Sequence, residues 1–213
     1  MITLAIDTST PRGAVAVLHD DQPIAEAKFE RDGLFDAIVK LNPGNFDLIV
    51  VGTGPGSFTG IRAGIAAAKG LALPRSVPLK AVSSFDAIAL TAAPRIPRDC
   101  GQMCVFGDAR REEIYFTLYD QQGQPKGPCQ IGTFDTIADE LHFPFWFVSS
   151  EMARYESAVR EVFGGFATIC ETPVFPSAAA LGWLGRQKFL ADNKQGDAQI
   201  EPIYLRETVY KKI

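Results

Sequence analysis

The chain has 213 residues, enough for one large or two small domains with a substantial core. Hydrophobic residues make up 46% and charged residues 22%, an ordinary balance for a soluble globular protein, and the formal charge of −4 excludes a chain that coats nucleic acid by electrostatics alone. The start "MITLAIDTST" lacks the basic opening and long apolar run of a signal peptide, and no stretch approaches the ~18 apolar residues of a membrane span, so a cytoplasmic protein with no membrane partner is expected.

In chain order, "ITLAIDTS" reads as a strand ending in Asp7. "GAVAVLHDDQPIAEAKFE" reads as two further strands joined by a turn at Asp20 and Asp21, which places His19 at a solvated hairpin tip. "LFDAIVKL" is a short helix closed by the turn "NPGN". "FDLIVVG" is a continuous apolar run, the pattern of a strand covered on both faces. A glycine turn then opens a helix running to about Leu73, where Pro74 stops it; "VPLKAVSS" is the next strand, with Ser83 or Ser84 capping a helix over "FDAIALTAA".

The proline-rich "PRIPRDCG" marks a domain boundary, dividing the chain into lobes at 1–98 and 99–213. The second lobe repeats the theme: "QMCVFGDAR" and "EEIYFTLYD" pair as strands, and "QQGQPKG" turns into a third, "PCQIGTF". "DTIADEL" is a short helix, "FPFWFVSS" and "FATICE" are strands, and "SAAALGWLGRQKFLA" is the strongest late helix. The aromatic run "HFPFWF" most simply fills the second core, and His142 beside it needs no more than a helix-end role. Three strands followed by alternating helix and strand, twice, indicate an α/β fold built from two related βββαβα-type halves.

The most pointed stretch is "VVGTGPGSFTGIRAG", Val50 to Gly64. As a phosphate loop it fails GxxxxGK[ST], which needs a lysine after a glycine, and it fails GxGxxG, because Ser57 stands at the third glycine. Pro55 also removes an N–H from any anion nest. Read as a helix entry, every residue has a role. Gly52, Gly54 and Gly56 permit positive φ and close backbone approach, and Ser57 or Thr59 caps the helix. Gly60, Gly64 and Ala68 follow at four-residue spacing, a smooth strip for either an internal neighbour or a partner subunit. Gly56, Ser57, Phe58, Thr59, Gly60, Arg62, Gly64 and Ala68 are accordingly the candidate partner-interface residues.

Asp7, Thr8 and Ser9 are the candidate nucleotide-site residues, with hydroxyls and backbone amides suited to phosphate oxygens; an Asx-type turn at Asp7 is the favoured reading. "GDARREEIYF" gathers Asp108, Arg110, Arg111, Glu112 and Glu113, a salt-bridge cluster rather than an acid–base pair, since no nucleophile accompanies it. The four cysteines show no CxxC pair and read as reduced thiols; Cys100 and Cys104 would share a face only on a helix, and "RDCGQMC" leads into a strand. With two histidines and neither HExxH nor HxxxH, no metal, cofactor or catalytic residue is assigned.

Taken together, "LAIDTS", "GTGPGSFTGIRAG", "GDARREEIYFTLYD" and the late "EPIYLRE" resemble, in order, the pattern of the bacterial TsaB (YeaZ) family from about Ile2 to Arg206. The resemblance implies an actin/Hsp70/sugar-kinase-like (ASKHA) fold and a role in threonylcarbamoyl modification of the adenosine beside the anticodon in certain tRNAs. It implies a non-catalytic partner of a TsaD-like catalytic subunit, which holds the metal and transfers the group, joined by a TsaE-like ATPase. A homodimer is a further option, and tRNA would be met only through the complex. The alternative is an ATP-using enzyme of the same fold, a small phosphotransferase or a cryptic carbamoyltransferase. One departure stands out: only "RDGLFDAIVKLNPG" bridges Phe29 and Phe46, where the family generally has a longer helix.

Overall fold

The computed structural model describes residues 1–30, 32–140 and 144–205, so His142 and the last residues of the "EPIYLRE" motif lie outside it. The chain runs β1 (Ile2–Asp7), β2 (Arg12–His19), β3 (Gln22–Glu30), α1 (Leu34–Leu41), β4 (Leu48–Gly52), α2 (Phe58–Ala72), β5 (Leu79–Val82) and α3 (Ser84–Ala92). It continues β6 (Gln102–Arg110), β7 (Glu113–Asp120), β8 (Gln130–Gly132), α4 (Phe134–Glu140), β9 (Phe145–Val148), α5 (Met152–Phe163), β10 (Ala167–Ile169) and α6 (Ala178–Ala191).

Two five-stranded sheets carry the same topology, β3-β2-β1-β4-β5 and β8-β7-β6-β9-β10. In each, the first three strands form an antiparallel meander and the last two run parallel to the first. The central strands are apolar throughout because both of their faces are covered, as in parallel sheets generally. Edge strand β3 instead alternates exposed and half-buried residues.

On its outer face the first sheet packs Leu4, Ile6, Val15 and Val51 against Leu34 and Ile38 of α1 and Ile61, Ile65 and Ala68 of α2. The second sheet repeats this with Phe106, Phe116 and Phe147 against Phe134 of α4 and Val159 and Phe163 of α5. The inner faces are exchanged. Helix α3, which follows the first sheet in the chain, sets Phe85, Ile88 and Ala92 on Met103, Val105 and Trp146 of the second. Helix α6 sets Ala178, Leu181 and Phe189 on Ala5, Ala16, Leu18 and Val50 of the first. Gly182 and Gly185 allow this approach, because a Cβ at either would overlap Leu18 or Val50.

Cys100 and Cys104 belong to cores on opposite faces of the second sheet, so they do not face one another. Helix α5 has no counterpart in the elements expected from sequence: "MARYESAVREVF" carries charges at Arg154, Glu156, Arg160 and Glu161 and fully buries only Met152, Val159 and Phe163.

Candidate functional site

The Asp7 loop after β1 and the glycine turn after β4 clasp each other at the ends of adjacent parallel strands. Asp7 is buried; its Oδ1 accepts from the Ser9 amide at 2.9 Å and the Ser9 hydroxyl at 2.7 Å, and its Oδ2 accepts from the Ser84 hydroxyl at 2.6 Å. The Ser9 bonds make the Asx-type turn expected from "DTST". The Ser84 bond was not legible, because it joins residues 77 apart in the chain. Burial raises the Asp7 pKa, opposed by the three hydrogen bonds to its carboxylate.

Two amides of the glycine turn are hydrogen-bonded within the protein. The Ser57 N–H donates to the Ser9 carbonyl at 2.6 Å, and the Gly54 N–H donates to the Ser84 hydroxyl at 3.2 Å. The Gly60 N–H donates to the hydroxyl of Ser57, the N-cap of α2, at 3.2 Å. Gly54 (φ 90°) and Gly56 (φ 150°) hold the positive φ expected of them. Gly52 serves close approach alone, since a Cβ there would overlap the Asp7 carboxylate.

The strip expected at a subunit contact divides. Gly64 and Ala68 are buried within the chain, and a Cβ on Gly64 would overlap the Thr8 hydroxyl. Gly60 is as tight against the Thr8 carbonyl, and the Thr8 hydroxyl donates to the Gly60 carbonyl at 2.7 Å. The smooth face therefore lets α2 descend onto the Asp7 loop, which corrects the assignment of Gly64 and Ala68 to a partner surface. Gly56, Ser57, Phe58, Thr59 and Arg62 are exposed. The Arg62 guanidinium lies 3.3 Å from the Phe58 ring centre, and its Nε donates to the Tyr204 hydroxyl at 2.9 Å. The described part of the "EPIYLRE" motif thus runs along α2, anchored by the Ile203 N–H on the Thr53 carbonyl and by Lys69 on the Ile200 carbonyl.

Between the two sheets lies a cleft of about 490 Å³ bounded by Ser9, Ser57, Phe85, Asp108, Arg110 and Glu151. Asp108, one acid of the charged cluster, is nearly buried, unlike the arginines it pairs with: its side chain is 7% exposed, against 81% for Arg110 and 58% for Arg154. Arg154 Nη1 lies 2.7 Å from Asp108 Oδ2, and the Asp108 N–H donates to Glu151 at 3.0 Å. Burial alone would raise the Asp108 pKa, but hydrogen bonds from the Arg110 amide, Tyr155 and Arg154, with the Arg154 charge, hold it below the usual carboxylate range. Among the described residues no three metal-ligating side chains come together. No described helix is long and apolar enough to cross a membrane.

Residues 36–182 match the family described as TsaD, tRNA N6-adenosine threonylcarbamoyltransferase. A Bacillus subtilis relative named tRNA threonylcarbamoyladenosine biosynthesis protein TsaB is 28% identical over 210 residues, covering 90% of each chain. A Pseudomonas aeruginosa crystal structure described as uncharacterized, with similarity to peptidase YEAZ, superposes with a TM-score of 0.77 at 25% identity, covering 96% of this chain and 99% of that one. The ADPNP-bound activator of 2-hydroxyisocaproyl-CoA dehydratase from Clostridium difficile shares the fold at 10% identity, with a TM-score of 0.51 over 94% of this chain and all of that one. The doubled sheet topology and these likenesses make the architecture that of the actin/Hsp70/sugar-kinase group, and the chain belongs to the TsaB (YeaZ) family within the wider TsaD-type threonylcarbamoyltransferase family.

Proposed function

We propose that the chain is a non-catalytic partner subunit in tRNA threonylcarbamoyladenosine biosynthesis. It acts with a TsaD-like catalytic subunit and a TsaE-like ATPase and meets tRNA through them. One observation carries the non-catalytic part: at the place where a phosphate loop would present its amides, Ser57, Gly54 and Gly60 donate theirs to Ser9, Ser84 and Ser57 of the same chain. An anion would have to displace these bonds, and Pro55 has no N–H to offer in their stead.

The partner surface we propose is the outward face of α1 and α2. Phe35 and Val39, one helical turn apart on α1, are 59% and 76% exposed, and Phe58 at the start of α2 is 59% exposed. We take residues 1–98 and 99–213 as the two lobes, since each contains one complete five-stranded sheet.

The test is co-purification with TsaD from the same organism, with and without ATP, using the wild-type chain and Val39→Asp. Wild type should be retained and Val39→Asp lost, with unchanged melting of the lone protein. In parallel, the lone chain supplied with threonylcarbamoyl-adenylate and tRNA should form no modified tRNA. Product formed without TsaD, or micromolar binding of Mg-ATP by calorimetry, overturns the reading in favour of an enzyme of the same fold.

A further inference from the structure

On the side of the first sheet that faces α6, a second cavity of about 360 Å³ opens between the sheet edge and the segment entering α6. Three cations line it, each from a different element: Arg12 of β2, Lys28 of β3 and Arg95 beyond the end of α3. Lys28 stands opposite Ala14 in the β2–β3 ladder, and Arg12 lies two residues before Ala14, so the two cations are diagonal neighbours on one face. None of the three side chains makes an ion pair or hydrogen bond with a described residue. Arg12 does lie over the Phe175 ring, 5.4 Å from its centre.

The carboxylate among the lining residues is Glu26, and it accepts from the Ser177 hydroxyl at 3.3 Å. Ser177 is the N-cap of the 14-residue α6, whose first turn carries no acidic residue, so the positive end of that helix adds to the same cavity. In a chain of net charge −4, these three exposed cations outnumber the one carboxylate of the cavity and leave it a local excess of positive charge that favours an anion.

We propose that this cavity binds a phosphate group carried on a larger molecule. Two guanidinium forks match phosphate oxygens in pairs, the lysine supplies a point charge, and the helix start favours the same sign of ligand. The cavity exceeds a bare phosphate and leaves room for what carries it. That carrier is either a phosphorylated small molecule or an exposed phosphate of an RNA, and the site stands independently of the α1–α2 partner surface.

The experiment titrates the full chain with inorganic pyrophosphate by calorimetry at low and high salt, and with labelled unmodified tRNA by anisotropy. It compares wild type, the double variant Lys28→Gln with Arg95→Gln, and Arg160→Gln on α5 as a charge control. Wild type should bind pyrophosphate in a salt-sensitive way, the control should match it, and the double variant should bind about tenfold more weakly or worse. A parallel loss of tRNA binding assigns the phosphate to RNA, and loss confined to pyrophosphate assigns it to a small molecule. Absence of pyrophosphate binding by wild type, or equal binding by all three proteins, overturns the proposal. Should the double variant melt early, Arg95→Gln alone carries the same comparison.

Discussion

Helix α2 lies on the outer face of the first sheet and α5 on the outer face of the second, and the two reach their sheets by different means. Helix α2 comes down on a strip of small residues until Gly60 and Gly64 touch the Asp7 loop, leaving no space for a Cβ. Helix α5 stands off and fills the gap with large side chains: Phe163 packs on Phe147 with ring centres 4.6 Å apart, and Tyr155 meets Phe106 edge-on at 5.7 Å. One topology therefore carries two kinds of packing. Close approach gives the first lobe a rigid clasp between two loops, whereas the second lobe relies on aromatic volume. The lobe with the clasp also carries the exposed apolar residues of α1 and α2.

The largest effect should come from removing volume in the second lobe. Phe147 is fully buried within the ring cluster, so Phe147→Ala should cost about 3–5 kcal/mol in denaturant unfolding of the lone protein. A loss near that of a surface substitution would show that the ring cluster collapses around the gap, and the contrast between the lobes would fail. Adding volume is the matching insult to the first lobe. Gly64→Leu should destabilise the lone chain by about 1–3 kcal/mol or more, despite leucine's better helix propensity, because the side chain must displace Thr8. An unchanged melting temperature with lost partner binding would instead return Gly64 to a subunit surface.

Much of this was legible in the sequence, and the reasons are local. The apolar runs marked the central strands, "LFDAIVKL" marked α1 to the residue, and of the two caps the sequence offers for α2, Ser57 and Thr59, it is Ser57 whose hydroxyl meets the amide three residues on. Helix α5 was missed because its four charged residues interrupt the apolar stripe of Met152, Tyr155, Val159, Val162 and Phe163 that meets the core. The exchange of α3 and α6 between sheets was illegible for a different reason. Gly182 and Gly185 show no packing role until Leu18 and Val50, far away in the chain, are known to lie against them. Within the site, the sequence offers Ser83 or Ser84 as the cap of α3; Ser83 takes that position, and nothing local marks the bond from Ser84 to Asp7.

The two aspartates at the inner ends of the central strands extend the comparison to electrostatics. Asp108 sits below the ordinary carboxylate range, so its ionised form is favoured by folding. The stability it contributes is present above the unfolded value of 3.8 and is lost as the pH falls through the lower folded value. Asp108→Asn should therefore cost about 1–2 kcal/mol at neutral pH, by weakening charged hydrogen bonds to Arg154 and the Arg110 amide, and the cost should shrink in acid. A cost independent of pH would assign the effect to packing alone.

Asp7 should behave in the opposite sense. Burial raises its folded pKa above 3.8, so the native state binds a proton more tightly than the unfolded chain does. Between those two values the native state holds more protons, and stability must fall as the pH rises. The contribution is thus fully present below 3.8 and is lost as the pH climbs through the raised folded value. Asparagine retains the shape and a carbonyl to accept from Ser9, and its amide would donate to the Ser84 hydroxyl, which already accepts from the Gly54 N–H. Asp7→Asn should consequently match wild type in acid and equal or exceed it at neutral pH, with that segment of the pH–stability slope removed. Chemical denaturation across the acid-to-neutral range measures both. A variant less stable than wild type at neutral pH would mean that the ionised carboxylate is what the Ser9 and Ser84 donors are built to hold, and the clasp in the first lobe would then be an anion site filled by the protein's own side chain.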